Sequence, residues 1–302
     1  MLPFARVTII GLGLLGSSIA KAVRERMPTV RLTGHDSNPE HNATARAMNL
    51  VDDVTDTVGA AVIDADLVIL CVPVGAMGTV AAAIADDLPA EAIVSDVGSS
   101  KAGVMAALQL ALPDHVIIPA HPVAGTERSG PEAGFASLFH NRWCILTPPE
   151  GTDPAKINQL IAFWERLGAT IEVMDAAHHD RVLAITSHLP HLIAYTIVGT
   201  ASDLESVTRS EVIKYSAGGF RDFTRIAASD PTMWRDVFLT NKEAVLEMLQ
   251  RFSEDLSVLQ RAIRWGDGDA LFEMFSKTRA IRRSIIEEGQ DDARPDFGRS
   301  DH

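Results

Sequence analysis

The sequence predicts an α/β fold: an N-terminal doubly wound parallel sheet followed by an all-helical C-terminal domain. Three observations carry that expectation. Short apolar, β-branched runs alternate with helical spacings from residue 6 to about residue 175. The first run empties directly into a glycine-rich turn. Beyond residue 175 the alternation stops, and long apolar stripes at helical spacing take over. The expected domains are therefore 1–175 and 176–288, with an acidic, Gly/Pro-containing tail at 289–302 expected to be disordered.

The first strand, Val7 to Ile10, runs into Gly11, Gly13 and Gly16, a G-x-G-x-x-G, and then into helically spaced Ser17 to Val23. Gly11 allows the tight turn, Gly13 lets a pyrophosphate reach the backbone, and Gly16 lets the helix pack close to the strand. The helix start offers unpaired N–H groups to phosphates. Asp36 closes a second apolar run, Val30 to Gly34, twenty residues past Gly16. A carboxylate there accepts hydrogen bonds from both ribose hydroxyls and repels a 2′-phosphate, so the cofactor is read as NAD. The expected cofactor-binding residues of this Rossmann-type domain are Gly11, Leu12, Gly13, Leu14, Leu15, Gly16, Asp36, Val72 and Pro73.

A helix near Glu40 to Met48 and a short Val51–Val54 segment come next. Ala65 to Pro73 is a buried strand ended by Pro73, followed by a helix around Thr79 to Asp87 and the strand Ala92 to Asp96. After the loop Val97 to Lys101 come an Ala/Leu-rich helix, the strand Val116 to Pro119 and a loop, Ala120 to Glu127. Trp143 to Leu146 and Thr170 to Met174 supply two more strands around a helix from Pro154 to Leu167.

Ala176 to Ala201 reads as one long helix, interrupted or kinked at Pro190 where a ladder donor is lost. A second helix is expected from Asp230, as N-cap before Pro231, to about Trp265. Its stripe of Trp234, Phe238, Val245, Leu249, Phe252, Leu256, Leu259 and Ile263 extends ~40 Å, more than one small domain needs to cover. A last helix, Ala270 to about Ile286, repeats the pattern. Both point to an interface with a second copy of the chain, the alternative being a purely intramolecular helical core.

At 302 residues and 46% hydrophobic, the chain supports two folded domains. Its longest apolar runs, such as Leu67 to Val74, are too short to span a bilayer, and no signal-peptide pattern opens it. Cys71 and Cys144 make no disulfide framework, which suits a reducing cytoplasm. A net charge of −13 argues against nucleic acid as a partner. Any anionic substrate must then be drawn in by local groups.

Three clusters and one further stretch bear chemistry. His121, in a strand-end loop on the cofactor side, is a candidate general base, because hydride loss from an alcohol must be matched by proton loss. Ser99 could bridge that histidine, the substrate and the cofactor amide; alternatively Ser99 or Ser100 caps the helix that follows. On the long helix, Ser187 and His191 are four apart and share a face, whereas His188 points elsewhere. His178 and His179 raise the question of a metal, but Asp180 completes no facing trio, and no metal is expected. In Gly218 to Ala227, Arg225 offers a rigid fork for a carboxylate and, with Lys214 and Arg221, makes a local positive patch. Arg221 is read as a partner of nearby aspartates.

In these pieces the chain resembles the prephenate/arogenate (cyclohexadienyl) dehydrogenase family of tyrosine biosynthesis. The matching stretches are Gly11 to Ser18, Asp96 to Lys101, His121-Pro122-Val123-Ala124-Gly125-Thr126-Glu127, Ser187-His188-Leu189-Pro190-His191, and Gly218 to Ala227 continuing through Ser229 to Trp234. They fall in the family's order over roughly residues 6 to 287. The resemblance implies that His121 accepts the proton of a C4 hydroxyl as hydride leaves C4 for NAD, and that CO2 loss then aromatises the ring. It also implies that Ser99 positions His121 and the nicotinamide, that Arg225 anchors a carboxylate, and that His191, Ser187, Thr126, Glu127 and Trp234 shape the pocket. Ser100 stands where a valine is usual. A homodimer with interlocked helical domains is implied, acting on a small molecule in the cytoplasm without a membrane partner.

Two other classes share parts of this pattern. A β-hydroxyacid dehydrogenase or imine reductase would carry a lysine or aspartate acid/base on the interdomain helix, where Ser187 and His191 stand. A non-catalytic dinucleotide-sensing dimer would need the glycine motif but not His121, Ser99 and Arg225 together.

Overall fold

A computed structural model describes residues 2–126, 128–203 and 218–287. Glu127, Lys214 and the tail at 289–302 lie outside the described residues. The chain divides into two compact units, Met1–Leu246 and Glu247–His302.

The first unit is built on a six-stranded parallel sheet in the order β3-β2-β1-β4-β5-β6. Its strands are β1 (Arg6–Ile10), β2 (Arg31–His35), β3 (Asp53–Val54), β4 (Leu67–Leu70), β5 (Ile93–Asp96) and β6 (Val116–Ile117). This is the dinucleotide-binding strand order, and the order reverses between β1 and β4. The central strands are mostly apolar because helices cover both faces: Val7, Ile9, Leu67, Ile69 and Ile93 belong to one core and Ile10, Val68, Leu70 and Val94 to the other, with Thr8, Ser95 and Asp96 the buried polar residues among them. The helices are α1 (Leu14–Arg26), α2 (Pro39–Ala47), α3 (Val58–Val62), α4 (Met77–Ile84) and α5 (Ala102–Ala111). Asn38 caps α2 by accepting from the Glu40 amide at 2.9 Å, with Pro39 in the first helical position.

The chain then departs from the expected continuation of this sheet. Residues 120–127 do not form one loop: Ala120–Pro122 is a strand, β7, that pairs antiparallel with β8 (Trp143–Leu146), and His121 lies opposite Ile145. β9 (Thr170–Val173) joins β8 after helix α6 (Pro154–Arg166), making a separate three-stranded sheet. β6 is only two residues long, which leaves β7 free to turn away toward β8.

The long helix after Asp175 is continuous over Ala176–Asp203, but its middle is irregular. α7 (Ala176–Leu183) passes through a π-helical turn, Ala184–His188, into α8 (Leu189–Asp203). The wider turn ends one residue short of Pro190, which has no N–H to donate, and such turns recur at functional sites. At 28 residues, this helix is long and apolar enough to cross a membrane by length and composition, which the shorter apolar runs of the sequence do not reveal. Its inward side holds His179, Asp180, Leu183, His188, Leu189 and Ala194.

The expected single helix from Asp230 to Trp265 is two. After α9 (Gly218–Thr224) and a tight turn over Arg225–Ala228, α10 (Pro231–Thr240) stops, and α11 (Lys242–Trp265) begins beyond Asn241. Asn241 leaves helical geometry at φ −105° and ψ 36°. Asp230 caps α10 as expected, accepting from the Met233 amide at 2.9 Å. In the second unit, α11 runs to a turn at Gly266, whose φ of +67° suits glycine. α12 (Gly268–Glu287) follows, with Asp267 accepting from the Ala270 amide. Leu256, Val258, Ile263, Trp265, Phe272, Phe275 and Ile281 of this unit are exposed.

Candidate active site

The glycine turn has the geometry its sequence implies. Gly11 sits at φ +97°, and a Cβ there would lie 2.4 Å from the Cys71 carbonyl oxygen and 3.2 Å from Val72. A Cβ on Gly16 would fall 1.9 Å from the Gly11 carbonyl oxygen, whereas one on Gly13 would meet no atom within 4 Å. Gly13 caps α1 without a side-chain acceptor, so no side chain caps the first amides of the helix, at the positive end of its dipole. That cradle fits a dinucleotide pyrophosphate. Val72 and Pro73 follow β4 on the other side of the strand-order switch. The Asp36 carboxylate accepts from the amides of Leu12 at 2.7 Å and Asn38 at 2.8 Å. His41 Nδ1 also lies 3.2 Å from Asp36 Oδ2. A carboxylate has about four acceptor positions, so Asp36 retains capacity for one ribose hydroxyl.

His121 is brought to the same end of the sheet by β7. It is 6% exposed, and its Nδ1 lies 2.8 Å from His179 Nε2 on α7. His179 Nδ1 in turn lies 2.9 Å from Asp180 Oδ1. Asp180 also accepts from the backbone amides of Lys101 at 2.7 Å and Ala102 at 2.9 Å. The N-terminus of α5 is therefore capped by Asp180 across the fold, and neither Ser99 nor Ser100 performs the capping considered for it. Burial draws the Asp180 carboxyl upward, but the hydrogen bonds from His179, Lys101 and Ala102 outweigh it and leave it below its usual range. Burial pushes His121 well below the ordinary histidine value, helped by the charges of His179, Lys101 and His188.

Beneath this row lies a fully buried ion pair. Lys101 Nζ binds the Asp96 carboxylate and the Ala120 carbonyl oxygen at 2.8 Å. Asp96 also accepts from the Gly98 amide at 2.7 Å and the Ala120 amide at 3.2 Å. The pair thus ties the end of β5 to the residue before His121. Burial works against both charges, raising Asp96 and lowering Lys101.

Ser99 is half-buried while Ser100 is fully buried, its hydroxyl unpartnered among the described residues. The Ser99 carbonyl oxygen accepts from His188 Nε2 at 3.2 Å, and His188 Nδ1 accepts from Asn241 Nδ2 at 3.1 Å. His188 does point away from His191, as its helical position implies, but inward, to anchor the Ser99 backbone. His191 stacks on Trp234 at 3.6 Å between ring centroids, and its Nδ1 donates to the Ser187 carbonyl oxygen at 2.8 Å. Trp234 is buried, and its indole N–H has no acceptor among the described residues. Burial lowers His191, and the neighbouring Arg225 charge lowers it further. Arg225 itself is exposed, in the turn after α9. Thr126 is exposed in the loop after β7, with Oγ1 accepting from the Arg128 amide at 3.2 Å.

The family model described as "Prephenate dehydrogenase, nucleotide-binding domain" matches residues 19–173, and "Prephenate dehydrogenase, dimerization domain" matches residues 175–277. The chain belongs to the prephenate dehydrogenase family. A cyclohexadienyl dehydrogenase of Zymomonas mobilis is 48% identical over 94% of this chain and 97% of its own length. A prephenate dehydrogenase of Bacillus subtilis is 32% identical over 92% and 76%. The crystal structure of prephenate dehydrogenase from Aquifex aeolicus, in complex with hydroxyphenyl propionate and NAD+, superposes with a TM-score of 0.86 at 34% identity, covering 94% of this chain and 98% of that one. This member of the prephenate dehydrogenase family is accordingly an NAD-dependent dehydrogenase of the oxidative decarboxylation step of tyrosine biosynthesis. The β-hydroxyacid dehydrogenase, imine reductase and non-catalytic alternatives are not favoured.

The functional geometry contains residues that sequence reasoning passed over. Asp96 and Lys101 lay inside a quoted motif without a role. His179 and Asp180 were weighed only as metal ligands; among the described residues no cluster could hold a metal ion. Asn241 was not singled out.

Proposed function

We propose that the substrate is a 4-hydroxycyclohexadienyl carboxylate, prephenate or arogenate, and that His121 takes its hydroxyl proton. The observation that carries this is the polarity of the His121 row. Asp180 as a carboxylate only accepts, so neutral His179 holds its proton on Nδ1 and leaves Nε2 bare. His121 then donates from Nδ1, and its Nε2 is left as the acceptor. Burial keeps that imidazole neutral and ready to take a proton.

Bound NAD+ supplies the hydride acceptor, held at Gly11, Leu12, Gly13, Leu14, Leu15 and Gly16, with Asp36 on the ribose and Val72 and Pro73 beside it. Ser99, fixed through its own carbonyl by His188, orients the substrate hydroxyl against His121. Arg225 pairs with a substrate carboxylate, a group common to both candidates. His191 and Trp234 form one wall, and the unpartnered indole N–H is a donor for the ligand. Ser187, Thr126 and Glu127 complete the pocket. These assignments, and the division into domains 1–175 and 176–288, are part of the proposal.

The assembly proposed is a homodimer, supported by the dimerization-domain match and by the exposed apolar side chains of α11 and α12. A cytoplasmic location is supported by the two free cysteines. The test is NADH formation by purified protein with NAD+ and either prephenate or arogenate in parallel. Turnover of at least one is expected. Failure with both, in protein that binds NAD+, would overturn the proposal.

A further inference from the structure

The row His121–His179–Asp180 ends inside the protein. His179 is 0% exposed and Asp180 5%, so a proton passed inward from His121 comes to rest beside a buried carboxylate, away from bulk solvent. A dead end of this kind suits only a reaction that takes a proton and later needs it again. The oxidative decarboxylation of a cyclohexadienyl alcohol is such a reaction. A hydride leaves to NAD+ and CO2 departs, and the product phenol carries the hydrogen that the alcohol carried; no proton is gained or lost overall.

The surroundings decide where the borrowed proton rests. His121 is opposed by the Lys101 ammonium and by the histidines of α7 and the π-helical turn. His179 also loses affinity for a proton through burial and Lys101, but it gains from its hydrogen bond to Asp180 and from the Asp180 and Asp96 charges. These are the charged and titratable groups facing the pair from β5, α5, α7 and the π-helical turn. A positive charge next to Asp180 is opposed less than one on His121.

We infer that His179 is a positioning residue that takes up, through His121, one proton when the substrate hydroxyl ionises, and returns it when the ring aromatises. This rests on the cyclohexadienyl substrate proposed above. As the C4–H bond breaks and its electron pair leaves with the hydrogen as hydride to the nicotinamide, the substrate O–H bond breaks. Its proton binds His121 Nε2, and the oxygen's electron pair forms the C4 carbonyl. The His121 Nδ1–H bond breaks in turn, and that proton binds His179 Nε2. When the C1–carboxylate bond breaks, its electron pair enters the ring and the carbonyl becomes a phenolate. Both protons then step back, one to His121 Nδ1 and one to the phenolate oxygen.

The test is His179→Gln in the full chain. A glutamine amide accepts from His121 and donates to Asp180, so it keeps the orientation of His121 but holds no proton. The expected result is a kcat lowered roughly 10²-fold, the lower end of what a positioned proton-transfer group contributes, with KM and the NAD+ Kd unchanged. Rates are also measured across H2O/D2O mixtures, with substrate deuterated at C4 so that hydride transfer is slow. A bowed dependence is expected for wild type, from two protons in flight, and a straight one for the variant. Wild-type kcat in His179→Gln, or a straight dependence in wild type, overturns the inference. Absence of turnover by wild type overturns instead the substrate proposal on which it rests.

Discussion

Asn241 Nδ2 lies 3.1 Å from His188 Nδ1 and 2.8 Å from the Asp180 carbonyl oxygen. One amide at the break between α10 and α11 thus holds the two elements that shape the site, the start of the long helix and the Ser99 backbone behind His188. Asn241→Ala leaves both buried acceptors without this donor, at about 1–3 kcal/mol each. Calorimetry should show Tm falling by several degrees, with kcat lowered as Ser99 loosens. An unchanged Tm would contradict this role.

The buried histidines set a direction for stability against pH. Burial pushes His188 from 6.5 down to about 4. An unfolded chain binds that proton at about 6.5, so the folded state holds fewer protons in the interval and stability falls as pH drops from about 6.5 to about 4. The contribution is on the order of 3 kcal/mol when complete. His121 and His179, also lowered, act in the same direction. The urea midpoint should drop between pH 7.5 and 5, and less in His188→Asn than in wild type.

Two glycines of one motif should fail differently. Gly13→Ala adds a methyl that meets no protein atom within 4 Å, so Tm should hold while the NAD+ Kd rises at least about tenfold, or 1.4 kcal/mol. Gly16→Ala drives a methyl into the Gly11 carbonyl oxygen, 1.9 Å away, and should lower Tm itself. Thermal melts and cofactor titrations on both variants separate the two effects.

The Asp96–Lys101 pair predicts an asymmetry between single and double changes. Lys101→Met strands a buried carboxylate and should cost about 3–5 kcal/mol. Adding Asp96→Asn removes the uncompensated charge and should recover part of that loss. Urea midpoints at constant m value report both.

The sequence makes the cofactor half legible because its signals are local. Gly11 to Gly16, the strand before them and Asp36 sit within one β-α-β unit, and each structural consequence follows from near neighbours. A candidate role for His121 could be read from its chemistry. Its surroundings could not be, because His179 is 58 residues away and reaches His121 only through the packing of α7 against α5. The separate β7-β8-β9 sheet was hidden for the same reason, as strand partners are chosen in three dimensions. The helix break did leave a mark. Asn241 falls on the apolar stripe itself, three residues after Phe238 and four before Val245, and a buried amide there needs partners. The mark was overlooked because neither glycine nor proline accompanies it.

The central claim is that His121 is the base in a cyclohexadienyl oxidation, and His121→Asn tests it most directly. Asparagine keeps a polar side chain on β7 but accepts no proton. With prephenate and arogenate in parallel, NADH formation by this variant should fall ~10²–10⁴-fold while NAD+ binding and Tm stay near wild type. A variant that binds NAD+ and turns over either substrate at the wild-type rate would contradict the claim.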